Sequence, residues 1–168
     1  MASVGDIIAA DLRVLFVAIN PAASMASGRG PFATSTNGFW PLLHASGLTL
    51  RLFMPWEAER LLDERFGLVS MVQRSTVKAS ELRAKELHAG TSRLATIVEM
   101  WRPRTVALLG VTLLPYVLPK HDERGPGLKR ALFHGARVFV LPNPSGRNLS
   151  FPGVAGKLPW YRALASLA

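Results

Sequence analysis

The chain has 168 residues, 49% of them apolar, no Cys, and a net charge of +9 from 20 Lys and Arg against 11 Asp and Glu. This excludes a disordered chain, disulfides, cysteine nucleophiles and thiolate metal sites, and the length predicts a single domain over 1–168 with its own core. No apolar run approaches a membrane span, and residues 1–11 carry two acids and no Lys or Arg, unlike a signal peptide.

Residues 13–19 (RVLFVAI) form a nearly continuous apolar run closed by Asn20 and Pro21, which predicts a fully buried strand. Residues 22–37 are small and polar, so a loop or broken helix is expected. Phe39 and Trp40 open a short amphipathic helix ending near Gly47, and residues 56–64 read as a second one behind Pro55. Residues 67–73 (GLVSMVQ) are a strand candidate. A helical pattern starts near Ser80, Glu81 and Arg83. Leu87, Leu94, Ile97, Val98 and Trp101 share one of its faces, Gly90 is a candidate break, and Pro103 ends it.

Residues 105–110 (TVALLG) predict another buried strand and residues 113–118 a helical turn or two. A polar loop, 119–127, leads to a candidate hairpin of 128–133 and 137–141 around His134 and Gly135. A helix over about 157–167 closes the chain. Buried, non-alternating strands separated by helices argue for an α/β fold with a mainly parallel sheet covered on both faces. Ligands of such sheets sit beyond the carboxyl ends of the strands. Two strand ends carry unusual polar loops, Asn20 with Pro21, and Asn143, Pro144, Ser145 and Gly146 after RVFVLP.

The charge is lopsided. Residues 1–101 hold ten Lys and Arg against nine acids, and residues 102–168 hold ten against two. Fifteen of the 20 basic residues are Arg, which suits bidentate phosphate contacts. The functional reading is a polyanion-binding face, most often for nucleic acid, carried by the C-terminal half. The plain alternative is a generally basic protein.

Conventional catalysts are scarce. His44, His88, His121 and His134 have no metal-ligand spacing, and GxSxG, Walker A and GxGxxG motifs are absent. Asn20 stands out, because a carboxamide directly after a buried strand, with Pro21 fixing the backbone behind it, can orient a water and bond a ligand edge. Its plain alternative is a turn-forming Asn before Pro, and the residues from Asn143 to Gly146 are turn formers too. Arg147 projects from the second loop, as a solvated loop residue or as one that brackets DNA. Phe32 lies among small residues without an amphipathic context, so stacking on a nucleobase is a plausible role beside an ordinary core role.

At these residues the chain resembles the mismatch-specific uracil/thymine-DNA glycosylases of the uracil-DNA glycosylase superfamily. The first motif of that family reads close to Gly-Ile-Asn-Pro-Gly, and stands here as Ala18, Ile19, Asn20, Pro21 and Ala22. A Phe-Ala segment running to Asn-x-Phe-Trp matches Phe32, Ala33, Asn37, Phe39 and Trp40. The second motif matches Asn143, Pro144, Ser145 and Gly146, and blocks at 67–76, 86–90 and 103–110 also agree. The resemblance covers essentially the whole chain in order.

It implies a three-layer α/β/α sandwich with a central, mainly parallel sheet. It implies hydrolysis of the N-glycosidic bond of mismatched uracil in duplex DNA, with G·U preferred, leaving an abasic site. Asn20 would position the attacking water, backbone N–H groups near Ile19 and Ala22 would hold the base, and Phe32 would stack on it. The loop of Asn143, Pro144, Ser145, Gly146, Arg147 and Asn148 would press on the DNA, with Arg147 at or near the wedge position. Arg and Lys of the C-terminal region would bind phosphates. No metal or organic cofactor is implied. The implied partner is double-stranded DNA containing a damaged or mismatched base, met by a monomer in a bacterial cytoplasm with no membrane contact.

The chain departs from the pattern at Ala18 and Ala22, both Gly in the family. Met25 replaces a small residue near C5 of the base, and Ser70 stands where relatives carry Lys, Asn or Asp. These departures leave two alternatives open: a glycosylase shifted towards deaminated purines such as xanthine or hypoxanthine, and a non-catalytic module that binds damaged DNA.

Overall fold

The structure, a computed structural model, describes residues 5–21 and 28–168. Five strands form one sheet: β1 (Val14–Ala18), β2 (Phe66–Ser70), β3 (Thr105–Leu109), β4 (Gly127–Phe133) and β5 (Ala136–Leu141), in the order β2-β1-β3-β5-β4. β2, β1, β3 and β5 run parallel, and β4 pairs antiparallel with β5 at one edge. The apolar runs of β1, of residues 106–109 in β3 and of residues 138–141 in β5 are unbroken because both faces of the sheet are covered there, whereas the edge strand β4 alternates. Leu15, Val17, Val106, Leu108, Val138 and Val140 enter one core, and Val14, Phe16, Ala107, Leu109, Phe139 and Leu141 enter the other. This is the period-two alternation of a strand with apolar layers on both sides.

Helix α2 (Ala84–Trp101) and the short α3 (Leu114–Val117) cover the first face. Helix α1 (Phe39–Ala45) and α4 (Gly153–Leu167) cover the second. The result is the expected α/β/α sandwich.

Several local expectations need correction. Gly90 does not break α2, which runs unbroken from Ala84 to Trp101. A Cβ at Gly90 would lie 2.4 Å from the Met71 carbonyl oxygen, so glycine there allows the helix to approach the chain beyond β2. The helix expected over 56–64 is a 3-10 helix, Pro55–Glu64, bent at Glu57. The strand expected over 67–73 ends at Ser70, and α4 begins four residues earlier than expected, with Pro159 inside it.

One pairing was not legible in the sequence. Ile7 bridges antiparallel to Leu68, exchanging two backbone hydrogen bonds of 2.8 Å. A Cβ at Gly67 would lie 2.7 Å from the Ile7 carbonyl oxygen, so the bridge needs a glycine there. It brings Gly5 and Asp6 alongside the carboxyl end of β2. With four parallel strands, the segments after Ala18, Ser70, Leu109 and Leu141 all emerge at one edge of the sheet.

Candidate active site at the carboxyl edge of the sheet

A cleft of about 800 Å³ opens at that edge. Of the residues singled out in the sequence, Ile19, Asn20, Phe32, Ser70, Asn143, Pro144, Ser145, Arg147 and Asn148 all line it. Ala22 and Met25 lie outside the described residues. Gly146 packs behind the lining, where a Cβ would sit 2.5 Å from the Thr36 Cβ. Segments more than 120 residues apart in the chain thus meet at one site, as the register of β1, β3 and β5 requires.

Asn20 is held rather than loose. Its Nδ2 donates to the Arg74 carbonyl oxygen (3.0 Å) and to Thr76 Oγ1 (2.8 Å). A carbonyl can only accept, so this contact fixes which end of the amide is nitrogen. Both N–H groups are then committed, and Oδ1 remains as the acceptor. The loop that holds Asn20 is itself clamped. The Arg74 guanidinium reaches Glu86 at the start of α2 through bonds of 2.8 and 3.1 Å, and donates to the Glu81 carbonyl. The hydrogen bond from Arg74 lowers the Glu86 carboxyl to about 2, with a further contribution from the Arg83 backbone N–H.

Phe32 has φ +57°, a left-handed conformation that costs a bulky residue about 1–3 kcal/mol and persists only where surroundings enforce it. Three contacts enforce it here. Its ring packs on Phe39 at 4.3 Å between centroids. Trp40 Nε1 donates to the Pro31 carbonyl (3.0 Å). Gly30, at φ +89°, lies so close to Pro55 that a Cβ would be 2.2 Å from its carbonyl oxygen. Phe32 is therefore half-buried, with one part in the core and another in the cleft wall.

The second loop is built from its own polar groups. Asn143 Oδ1 accepts from the Ser145 N–H (2.9 Å), the Arg147 N–H donates to Ser145 Oγ (3.2 Å), and Asn148 Nδ2 donates to the Asn143 carbonyl (3.0 Å). The Gly38 N–H donates to the Pro144 carbonyl (2.9 Å), tying this loop to the start of α1. Behind it, the buried Tyr161 hydroxyl donates to the Pro142 carbonyl (3.1 Å), and burial pushes that phenol far above its ordinary pKa.

Ser70 is half-buried at the end of β2. Arg93 from α2 donates to its carbonyl oxygen and also pairs with Asp6 (2.9 Å). The Asp6 side chain is only 4% exposed and supplies the one carboxylate lining the cleft among the described residues. Ile19 lines the cleft, while its carbonyl accepts from the Val72 N–H (2.9 Å) and its side chain packs on the α2 side of the sheet.

Sequence reasoning did not find Asp6, Arg74, Thr76 or Lys78. The polar block Gln73, Arg74, Ser75 and Thr76 directly after an apolar strand was the available signal. Among the described residues no group of His, Asp and Glu is arranged to hold a metal ion.

The C-terminal charge does not gather at the cleft. Lys129 and Lys157 are buried on backbone carbonyls, and burial lowers both amines below the ordinary lysine value. Arg130 pairs with Asp122 and Glu123. Arg102, Arg104 and Arg137 sit at the amino ends of β3 and β5, the opposite edge of the sheet. Among the described residues the lining cations are Arg147, from residues 102–168, and Lys78.

A family model described as "Uracil DNA glycosylase superfamily" matches residues 6–165. The match takes in Asp6, both strand-end loops and nearly all of α4, and so nearly all of the cleft lining. A DNA glycosylase hydrolyses the bond between a base and its sugar, and DNA is its substrate. A fixed carboxamide, a supported aromatic wall and an exposed arginine loop at one strand edge agree with that chemistry, and the chain belongs to the uracil DNA glycosylase superfamily.

Proposed function

We propose that the protein is a monofunctional glycosylase that removes uracil, best from G·U mismatches in duplex DNA, and leaves an abasic site. The observation that carries this reading is the double anchoring of Asn20 Nδ2 on Arg74 and Thr76, which leaves Oδ1 to accept a hydrogen bond from a water. The target nucleotide leaves the stack, at a cost of a few kcal/mol that is lowest at a mismatch. Its base enters the cleft against Phe32. The C1′–N bond breaks with the electron pair going to the base, and the sugar becomes oxocarbenium-like. Water oxygen, oriented by Asn20, bonds to C1′, and its released proton passes to solvent or to the departing base.

An amide is not a base, so Asn20 contributes position and not proton abstraction. The rate depends on orientation and on fixed donors around the leaving anion. Asp6, clamped by Arg93, acts in this scheme as part of the wall beside Ser70. Arg147, exposed at the tip of its loop without an ion pair among the described residues, meets the strand from which the base departs. The partner is double-stranded DNA, and the protein acts as a monomer.

The test is an excision panel. Labelled oligonucleotides carrying G·U, A·U, G·T, single-stranded U, xanthine and hypoxanthine are incubated with the protein, and abasic sites are then cleaved with alkali. The reading expects excision of U, fastest at G·U. Excision of xanthine or hypoxanthine with none of uracil replaces it by a purine specificity. Folded protein that excises none of these bases rejects the glycosylase reading.

A further inference from the structure

The cleft has two lips, and the loop with Arg147 forms only one. The other is residues 76–80, which line the cleft on the β2 side, with β1 and β3 between β2 and the strand that carries the Arg147 loop, and which begin with Thr76, the residue that holds Asn20. Val77 there is 74% exposed, an aliphatic side chain in a polar turn, and Lys78 beside it has no ion pair among the described residues. The first lip repeats this pairing, with Arg147 two residues from Leu149, which is 85% exposed. The 76–80 lip thus sets one cation and one uncovered aliphatic group in the cleft lining, and the other lip sets Arg147 there with the exposed Leu149 two residues on.

Glu86 is paired with Arg74, whereas Glu81, which accepts from the Lys78 backbone N–H (2.6 Å), keeps its charge beside the lip but forms no ion pair with the Lys78 amine among the described residues. The lip is also ordered in advance by the Asn20 and Arg74 bonds, so contact with a ligand costs little further ordering. A cation next to an aliphatic group suits a nucleotide backbone, the cation taking a phosphate oxygen and the aliphatic carbon lying on deoxyribose or a base edge.

We infer that residues 76–80 form a second duplex-DNA contact in addition to the Arg147 loop, with Lys78 on a backbone phosphate and Val77 packed against the sugar-base surface. The inference rests on the DNA glycosylase reading of the cleft. It also links binding to chemistry, since a strand pressed on Val77 and Lys78 bears on the residue that orients Asn20.

The test uses fluorescence anisotropy with a duplex carrying a tetrahydrofuran abasic analogue opposite G, titrated across a range of KCl. Wild type is compared with Lys78→Gln, Lys78→Glu, Val77→Ser and, as a control at the opposite edge of the sheet, Arg104→Gln. All variants are checked for unchanged melting temperature. Losing one phosphate contact lowers the magnitude of the log–log salt slope by about 1. Lys78→Gln is expected to do this and to weaken binding about 3- to 10-fold at low salt, with Lys78→Glu weaker still. Val77→Ser is expected to weaken binding without changing the slope.

Lys78 variants that keep the wild-type affinity and slope, as Arg104→Gln is expected to, overturn the inference. Wild type that binds the abasic duplex through Lys78 yet excises no base in the panel rejects the catalytic reading and leaves the contact standing. Wild type that excises uracil while Lys78→Glu binds normally rejects the contact alone.

Discussion

Both edges of the sheet use arginines as structural ties, but they differ in what the remaining polar residues do. At the amino edge, arginines are structural ties. Arg13 donates to the Glu64 carbonyl (3.2 and 3.0 Å) and lies over the Phe66 ring, Arg65 bonds Asp11, and Arg104 approaches the same carboxylate at 3.7 Å. At the carboxyl edge the pairs Arg74–Glu86 and Arg93–Asp6 support a cleft met by amides and hydroxyls, of which Asn20 is anchored so that Oδ1 is left for a ligand. Charge density is therefore a poor guide to the site in this chain. A formal charge can be spent on joining segments, whereas a fixed amide at a strand end is placed by the fold for something outside it.

The largest effect that sharpens this contrast is expected at Gly30. Gly30→Ala forces a Cβ against the Pro55 backbone at a position with φ +89°. A loss of about 2–4 kcal/mol in urea unfolding is expected, with a marked fall in excision, because Phe32 moves with the loop. A fully stable and active variant would detach the Phe32 wall from the account. Next is Thr76→Val, which removes one acceptor of the Asn20 amide. It is expected to reduce kcat about ten-fold with KM little changed, and Thr76→Ser should recover most of the loss. Equal rates for the two variants would mean that Thr76 does not orient Asn20.

Tyr161→Phe leaves the Pro142 carbonyl buried without its donor and is expected to cost about 1–2 kcal/mol by thermal unfolding, with a smaller effect on rate. The pH dependence should be smaller still. Glu86 is depressed to about 2 in the folded protein, below its unfolded value, so its stabilising contribution is fully present above the unfolded pKa. That contribution fades only as pH falls through about 4.5 towards 2. NMR titration of the Glu86 carboxyl is expected to show no transition above pH 4, and a transition near neutrality would break the clamp on Arg74. At the amino edge, Arg104→Gln should change excision less than two-fold.

Much of the fold was legible because β1, β3 and most of β5 are short β-branched apolar runs, the pattern of strands in a doubly covered sheet. The Asn20 and Asn143 loops were legible for the same reason, since parallel strands bring their carboxyl ends together. Other features were hidden by distance in sequence. Thr76 reaches Asn20 across 56 positions, and Asp6 reaches Arg93 across 87. Gly90 looked like a helix break because its local propensity is poor, yet its role is a close approach to Met71 that no local pattern encodes. Composition also does not reveal which basic side chains of the C-terminal half are buried and which, like Arg147, reach the cleft. Lys157 is 2% exposed inside α4 and cannot meet DNA as a free surface charge.

The central claim is that a rigidly held carboxamide at the end of β1 carries base excision. The direct measurement is single-turnover excision from a G·U duplex by wild type and Asn20→Ala at saturating enzyme, with binding to the abasic duplex measured beside it. The account predicts a fall in rate of about 10²–10⁴-fold for Asn20→Ala with DNA affinity and melting temperature nearly unchanged. Excision by Asn20→Ala at the wild-type rate would contradict it.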